Sequence, residues 1–299
     1  MAHCDPLDFD AFVARKARES TGGNPETQGR AYTYVSDRQM RAAFERMKPV
    51  ELAVGSVVRL SKQVMRNQLL GHAVKVSERQ FPRIHRLGAQ CAEVLQIAQP
   101  TLYIVSNPSL NAATYGTDDE AFIMVHSALV DHYSDEELLA VLGHECGHIH
   151  NNHVVYLTTL YYLTHMASMF VRWILEPAVL ALRAWSRRAE ITCDRAGMLC
   201  AKSLPDAERA LTKLALGSRK LYEEFNIDVF LEQHDEGREG IGRFMEMFAT
   251  HPWLPKRVLA MRAFGESALY KRALGQESAP GLTMEQVDER VRALLKGDA

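Results

Sequence analysis

The residues best suited to chemistry are His144, Glu145 and His148, which form an H-E-x-x-H run. Four residues of an α-helix turn through about 400°, so the two histidines lie on one face, within about 40° of each other. Two imidazoles placed in this way can bind one zinc ion at roughly 2.0–2.1 Å. Glu145 then lies at the edge of the metal, where it can accept a proton from zinc-bound water and pass it to a leaving amine. The run favours a zinc-dependent hydrolase.

A second pair with the same spacing, Glu190 and Asp194, lies on another predicted helix. A catalytic zinc site needs a third protein ligand and an open fourth position. One of these carboxylates could bind the metal, while the other accepts a hydrogen bond from the free N–H of a ligand histidine. The simpler alternative is a surface ion pair of Glu190 with Arg187 or Arg188.

The helix that carries the histidines has a clear beginning. Ser134 and Glu137 form a capping box, and the helix should run to about Asn152. Apolar periodicity and breakers predict an α+β fold, mostly helical, with residues 223–238 as a surface loop. The predicted strands are 73–76, 102–105 and 121–126, and the predicted helices are 36–48, 50–70, 78–98, 154–182, 186–202, 205–217, 239–249, 253–266 and 283–296.

Taken together, the motifs resemble the M48 family of zinc metallopeptidases, which includes Ste24 CAAX proteases and HtpX-like quality-control proteases. The resemblance covers roughly residues 50–265. It rests on motifs in this order: Asn111-Ala112-x-x-x-Gly116, a strand, His144-Glu-x-x-His148, Glu190-x-x-x-Asp194 and His251-Pro252. It implies a mostly helical zincin-like domain with a small sheet flanking the active-site cleft.

The resemblance also implies roles for these residues. His144, His148 and Glu190 would bind one Zn²⁺ per chain, and Glu145 would be the general base and acid. Asp194 would support a ligand histidine from behind, and His251 would assist the oxyanion of the tetrahedral intermediate. One departure is Cys193, because the family often has a small residue such as alanine before the aspartate. Cysteine is also small and tolerates burial.

Substrate contacts are implied for the loop that contains Asn111, Ala112 and Gly116, and for the strand at 121–126. That strand would pair with an extended peptide backbone, so recognition would depend only loosely on sequence. The expected substrate is a peptide or an unfolded protein, in a quality-control role. Of the neighbouring residues, Cys146 and Cys193 are expected to be buried thiols, while His150 and His153 are expected to be surface or packing residues.

Residues 154–182 form an apolar stretch where membrane-bound relatives insert spanning helices. His165, Arg172 and Glu176 interrupt it, Pro177 should kink it, and no uninterrupted span of about 20 apolar residues remains. Three interpretations stay open. The segment is a helical hairpin packed on the catalytic domain, a homo-oligomer interface, or a peripheral membrane contact.

Composition limits the class of protein. The chain has 299 residues, 47% of them hydrophobic, and a net charge of −2 from 35 basic and 37 acidic side chains, so no global field favours nucleic acid. Five cysteines without a C-x-x-C pair, and a start without an apolar signal, favour a cytoplasmic location, with membrane association left open. The expected division is an N-terminal arm or linker (1–49), a catalytic domain (50–266) and a helical tail (267–299).

The alternative function is a catalytically inactive or structural zinc protein that acts as a binding module. A purely structural zinc site has no need for Glu145 beside its ligands, which favours the peptidase.

Overall fold

A computed structural model describes residues 31–44, 71–116, 121–165, 169–216, 219–236, 254–276 and 278–295. The predicted helices at 50–70 and 239–249, and His251, lie outside these residues. The helices are α1 Val35–Phe44, α2 Pro82–Leu95, α3 Ser127–His132, α4 Asp135–His150, α5 Val154–His165, α6 Met169–Ala201, α7 Leu204–Leu216, α8 Arg219–Glu223, α9 Ile227–Glu236, α10 Leu254–Gly265, α11 Ala268–Ala273 and α12 Met284–Leu294. The strands are β1 Ala73–Lys75, β2 Thr101–Val105, β3 Ala112–Tyr115 and β4 Phe122–His126.

Helices surround one small mixed sheet, which confirms the mostly helical α+β class. The strand order is β1-β2-β4-β3, with β4 parallel to β2 and antiparallel to β3. The prediction that the strand at 121–126 pairs with a substrate is therefore wrong, because β2 and β3 already occupy both of its edges. Residues 112–115, predicted as loop, form β3 at one edge of the sheet, and β1 lies at the other edge.

The helix of the H-E-x-x-H run begins as predicted. The Ser134 hydroxyl accepts a hydrogen bond from the backbone N–H of Glu137, and the Glu137 carboxylate accepts one from the N–H of Ser134. The helix ends at His150, close to the predicted end.

Two other boundaries differ from the predictions. Helix α6 runs from Met169 to Ala201 through Pro177, so a single helix replaces the expected break between 182 and 186. The loop predicted at 223–238 is largely helical in its described part, since Ile227–Glu236 forms α9. The Asn226 side chain accepts hydrogen bonds from the N–H groups of Asp228 and Val229, and this capping starts a helix despite the acidic composition.

The apolar stretch at 154–182 contributes to a second, smaller core. Side chains of α5 and α6 pack together with Phe44 of α1, around the buried Trp185. Of the three interpretations of this stretch, the structure thus agrees with helices packed within the protein. Contacts with a second copy or with a membrane stay predictions. Among the described residues, no helix is both long enough and apolar enough to cross a membrane.

Helices α4 and α6 approach each other closely where glycines replace side chains. A Cβ atom added to Gly197 would lie 2.5 Å from the carbonyl oxygen of Ala140, and one added to Gly147 would lie 2.8 Å from Cβ of Ala196. Only glycine permits this separation. The close packing brings the histidine face of α4 against the acidic face of α6.

Candidate metal centre

Helices α4 and α6 bring His144, His148 and Glu190 together. Nε2 of His144 lies 3.6 Å from Oε2 of Glu190, and Nε2 of His148 lies 3.6 Å from Oε1 of the same carboxylate. The two imidazole rings stand nearly perpendicular, with centroids 5.0 Å apart. Glu190 and His148 are buried, so this carboxylate is not a solvated surface group.

The donor set fits zinc. Tetrahedral zinc with bonds of roughly 2.0–2.1 Å holds neighbouring ligand atoms roughly 3.3 Å apart, close to the two separations found here. Two imidazoles and one carboxylate are also ligand types that zinc prefers in catalytic sites.

Cys193 is a second candidate for the third ligand. One ligand atom each from His144, His148 and Cys193 lie within 4.8 Å of one another. Burial and the nearby carboxylates, Glu190 first among them, raise the pKa of the Cys193 thiol well above its usual value. Its sulfur contacts Nδ1 of His153 at 3.7 Å, and Cys193 lines neither cavity at the site, whereas Glu190 lines both. The geometry thus favours Glu190 as the ligand that faces substrate.

Asp194 lies behind His144. Its Oδ1 is 3.0 Å from Nδ1 of His144, on the side of the ring opposite to the Glu190 contact. Burial would raise the pKa of Asp194, but Arg257 and His144 together hold it below its usual range. The same burial would lower the pKa of His144, which Glu190 and Asp194 instead raise. Spacing left the roles of the two carboxylates open; in the structure Glu190 lies beside the Nε2 atoms of both histidines, and Asp194 lies beside Nδ1 of His144.

Arg257, on α10, bridges both carboxylates and was missed by sequence reasoning. Its Nε and Nη2 donate to Asp194 at 2.8 and 2.6 Å, and its Nη1 lies 3.1 Å from Oε2 of Glu190. These carboxylates raise its pKa against the effect of burial, so the guanidinium stays charged. The sequence did offer one indication of such a residue. Two acidic side chains predicted at one buried site need a nearby cation, which a neighbouring helix can provide.

Glu145 lies one residue along from His144 and is buried against strand β3. The Thr114 hydroxyl donates a hydrogen bond to Oε2 of Glu145 at 2.6 Å and lies 3.2 Å from its backbone oxygen. Thr114 was also missed, because nothing in the sequence shows which side chain of β3 faces α4.

A cleft opens on the candidate ligands. One part runs along β3 and α5, and is lined by Asn111, Ala112, Thr114 and Tyr161 beside the histidines and Glu190. The other part lies between α4, α6, α7 and α10, where apolar side chains of α7 face the charged groups of α4, α6 and α10. Asn111 and Ala112 line both parts, whereas Gly116 does not line either and accepts a hydrogen bond from Thr158. Gly116 has φ 114°, a conformation suited to glycine, at the end of β3.

Three further residues near the site had been predicted to be buried thiols or surface and packing residues. Cys146 is a buried thiol, as expected, and burial raises its pKa well above the usual value. His153 is also buried, and its Nδ1 lies 3.3 Å from Nδ1 of His148. His150 contacts the hydroxyl of Tyr32 instead.

Comparisons with known proteins agree with these observations. The family model described as "Peptidase family M48" matches residues 78–264 of this chain. The plastoglobule-localized metallopeptidase 48 of Arabidopsis thaliana is 36% identical over 178 residues, which cover 58% of this chain and 52% of the relative. A protease HtpX homolog of Moorella thermoacetica is 26% identical over 227 residues, which cover 64% of this chain and 74% of the relative. The chain thus matches about half the length of the plant relative, and no solved structure matches.

Proposed function

Because the chain belongs to peptidase family M48, we propose that it is a zinc-dependent endopeptidase with the reacting centre at His144, His148 and Glu190. The observation that supports this most directly is the convergence of these three side chains on one wall of an open cleft. The binding-module alternative is less favoured, because Glu145 lines the same cleft.

In this proposal the Nε2 atoms of His144 and His148 and the carboxylate of Glu190 would hold one Zn²⁺. When bound, zinc supplies Lewis-acid chemistry, since it polarises the scissile carbonyl and lowers the pKa of water. Asp194 accepts a hydrogen bond from Nδ1–H of His144 and so keeps the Nε2 lone pair directed at the site. Arg257 neutralises the excess negative charge of the two buried carboxylates.

Glu145 acts as general base and then as general acid. It accepts a proton from the attacking water and delivers it to the amine that leaves. The hydrogen bond from Thr114 fixes one oxygen of its carboxylate and hence the direction of the other. His251, which lies outside the described residues, is proposed to stabilise the oxyanion.

The substrate class is an extended peptide or an unfolded protein. Strand β3 is at the edge of the sheet and its residues Ala112–Tyr115 line the cleft, so its backbone can pair with a substrate strand. Such pairing reads backbone more than side chains, which suits a quality-control protease. We place this activity in the cytoplasm, with contact to a membrane or a second copy through 154–182 as further predictions.

Glu145→Gln tests the proposal, with Glu136→Gln as an exposed control on the same helix. The assay follows cleavage of a fluorescently labelled unfolded protein by the full chain with one equivalent of zinc. Wild type and Glu136→Gln should cleave, and should stop when a chelator removes the metal. Glu145→Gln should retain zinc but lose about 10²–10⁴-fold in rate. An unchanged rate for Glu145→Gln, or a wild type without zinc, would contradict the proposal.

A further inference from the structure

Helix α1 places one carboxylate behind the metal centre. Oδ2 of Asp37 lies 3.1 Å from Nε2 of His153, and Nδ1 of His153 lies 3.3 Å from Nδ1 of His148. Asp37 and His153 are each 1% exposed. Asp37 also lies outside residues 78–264, the part that matches the family.

The Asp37 carboxylate is held rigidly. Nε1 of Trp185 donates to Oδ1 at 2.8 Å, and the Thr192 hydroxyl donates to Oδ2 at 2.6 Å. The Trp185 ring also packs edge-on against the His153 ring, with centroids 5.2 Å apart. Both the carboxylate and the imidazole therefore have little freedom to rotate.

The protons along these contacts follow from the need for one donor and one acceptor at each contact. For Nε2 of His148 to bind a metal, its Nδ1 must carry the proton and donate it. The nitrogen 3.3 Å away is Nδ1 of His153, which also lies 3.7 Å from the sulfur of Cys193. With this nitrogen as the acceptor, the proton of His153 resides on Nε2 and is donated to Asp37. An ionised carboxylate accepts only, and each contact then has one donor and one acceptor.

We propose that Asp37 is a positioning residue for the metal centre, which acts through His153 to hold His148 in the tautomer and ring orientation that zinc binding requires. This inference rests on the proposed function, because it takes His148 as a ligand. In this arrangement each of the two ligand histidines is connected to a buried carboxylate. His144 contacts Asp194 directly, and His148 reaches a carboxylate through one additional imidazole. The N-terminal segment thereby becomes part of the metal centre.

Asp37→Asn tests this arrangement with little change in shape. The amide nitrogen of asparagine donates, so the side chain cannot accept from Trp185, Thr192 and His153 together. The affinity of the full chain for zinc, measured by competition with a chromophoric chelator, should fall by about 10–100-fold. The visible spectrum of the Co²⁺-loaded protein should also change, because it reports ligand orientation.

His153→Phe provides a second variant if Asp37→Asn does not fold. It retains a ring against Trp185 and removes both nitrogen contacts. It should weaken zinc binding to a similar degree, and the double variant should be no weaker than the single variants, because both changes interrupt one line.

Asp288→Asn is the matched control. The Asp288 carboxylate accepts hydrogen bonds from the N–H of Val35 and from Arg195, and so anchors the same N-terminal segment without contacting His153. This variant should lower the melting temperature of the metal-free protein and leave zinc affinity unchanged.

The outcomes separate the two proposals. If the wild type binds no zinc, the proposed function itself fails. If the wild type binds zinc and either Asp37→Asn or His153→Phe binds it within twofold of the wild type, the positioning role is wrong. Equal loss of affinity in Asp288→Asn would also overturn it, because general loosening of the segment would then explain the effect.

Discussion

Arg257 holds the carboxylate of Asp194 at two points, with Nε–Oδ2 and Nη2–Oδ1 distances of 2.8 and 2.6 Å. Bidentate contacts of this kind fix orientation as well as charge. Since the same Oδ1 lies 3.0 Å from Nδ1 of His144, the guanidinium on α10 sets the position of a candidate zinc ligand on α4. Three helices thus meet at one carboxylate.

Arg257→Met should destabilise the metal-free protein strongly, because it removes a buried cation that contacts both Asp194 and Glu190. The expected loss in free energy of unfolding is about 3–5 kcal/mol, measured by urea denaturation. Zinc should recover part of this loss, because it binds the folded state and supplies positive charge.

Arg262→Met on the same helix is the control for this prediction. Arg262 pairs with Glu208, but its side chain is 36% exposed, so its removal should cost about 1 kcal/mol or less. Equal destabilisation by the two variants would show that the Arg257 contacts have no special weight.

The parts of the site that sequence predicted are the local ones. His144 and His148 share one helical turn, Ser134 and Glu137 share another, and helical geometry alone fixes both relations. The α+β class followed from apolar periodicity in the same way. The order in which the strands pair could not be predicted from the sequence. The two-residue period of a strand shows which side chains share a face, but it does not show which strand lies at the edge of the sheet.

The residues that sequence missed act over long separations. Arg257 is 63 residues from Asp194, Thr114 is 31 from Glu145, and Asp37 contacts Thr192 across 155 residues. Only packing of whole helices brings such groups together. Asp194 was found despite its distance of 50 residues from His144, because its spacing from Glu190 repeats the helical period.

Glu190 and Cys193 can be distinguished as the third ligand. Glu190→Gln should lose most of its zinc, since a neutral amide is a weak ligand, while Cys193→Ala should retain one equivalent. Elemental analysis of the two variants after dialysis provides the measurement. Zinc loss in Cys193→Ala together with full occupancy in Glu190→Gln would reverse the assignment.

Thr114→Val should lower the turnover number and leave zinc content unchanged. The substitution removes the hydroxyl that donates to Glu145, so the carboxylate loses its fixed direction. We expect about a tenfold decrease in kcat, toward the lower end of what a positioned acid or base contributes.

Thr159→Val is the control for Thr114→Val. The Thr159 side chain is fully buried, and its hydroxyl donates only within α5, to the carbonyl oxygen of Val155. Its activity should match that of the wild type. A Thr114→Val enzyme with normal kcat would mean that Glu145 is oriented by its helix alone.

Gly197→Ala tests whether the close approach of α4 and α6 assembles the site. The added Cβ would lie 2.5 Å from the carbonyl oxygen of Ala140, and backbone cannot yield as a side chain can. Helix α4 must then move away from α6, and with it His144 from Glu190. We expect a loss of about 1–3 kcal/mol in stability, measured by urea denaturation, accompanied by weaker zinc binding.

Gly71→Ala is the control, because nothing lies within 4 Å of the added Cβ, and it should change neither stability nor zinc binding. Weaker stability with unchanged zinc affinity in Gly197→Ala would show that the ligands tolerate a wider separation of the two helices.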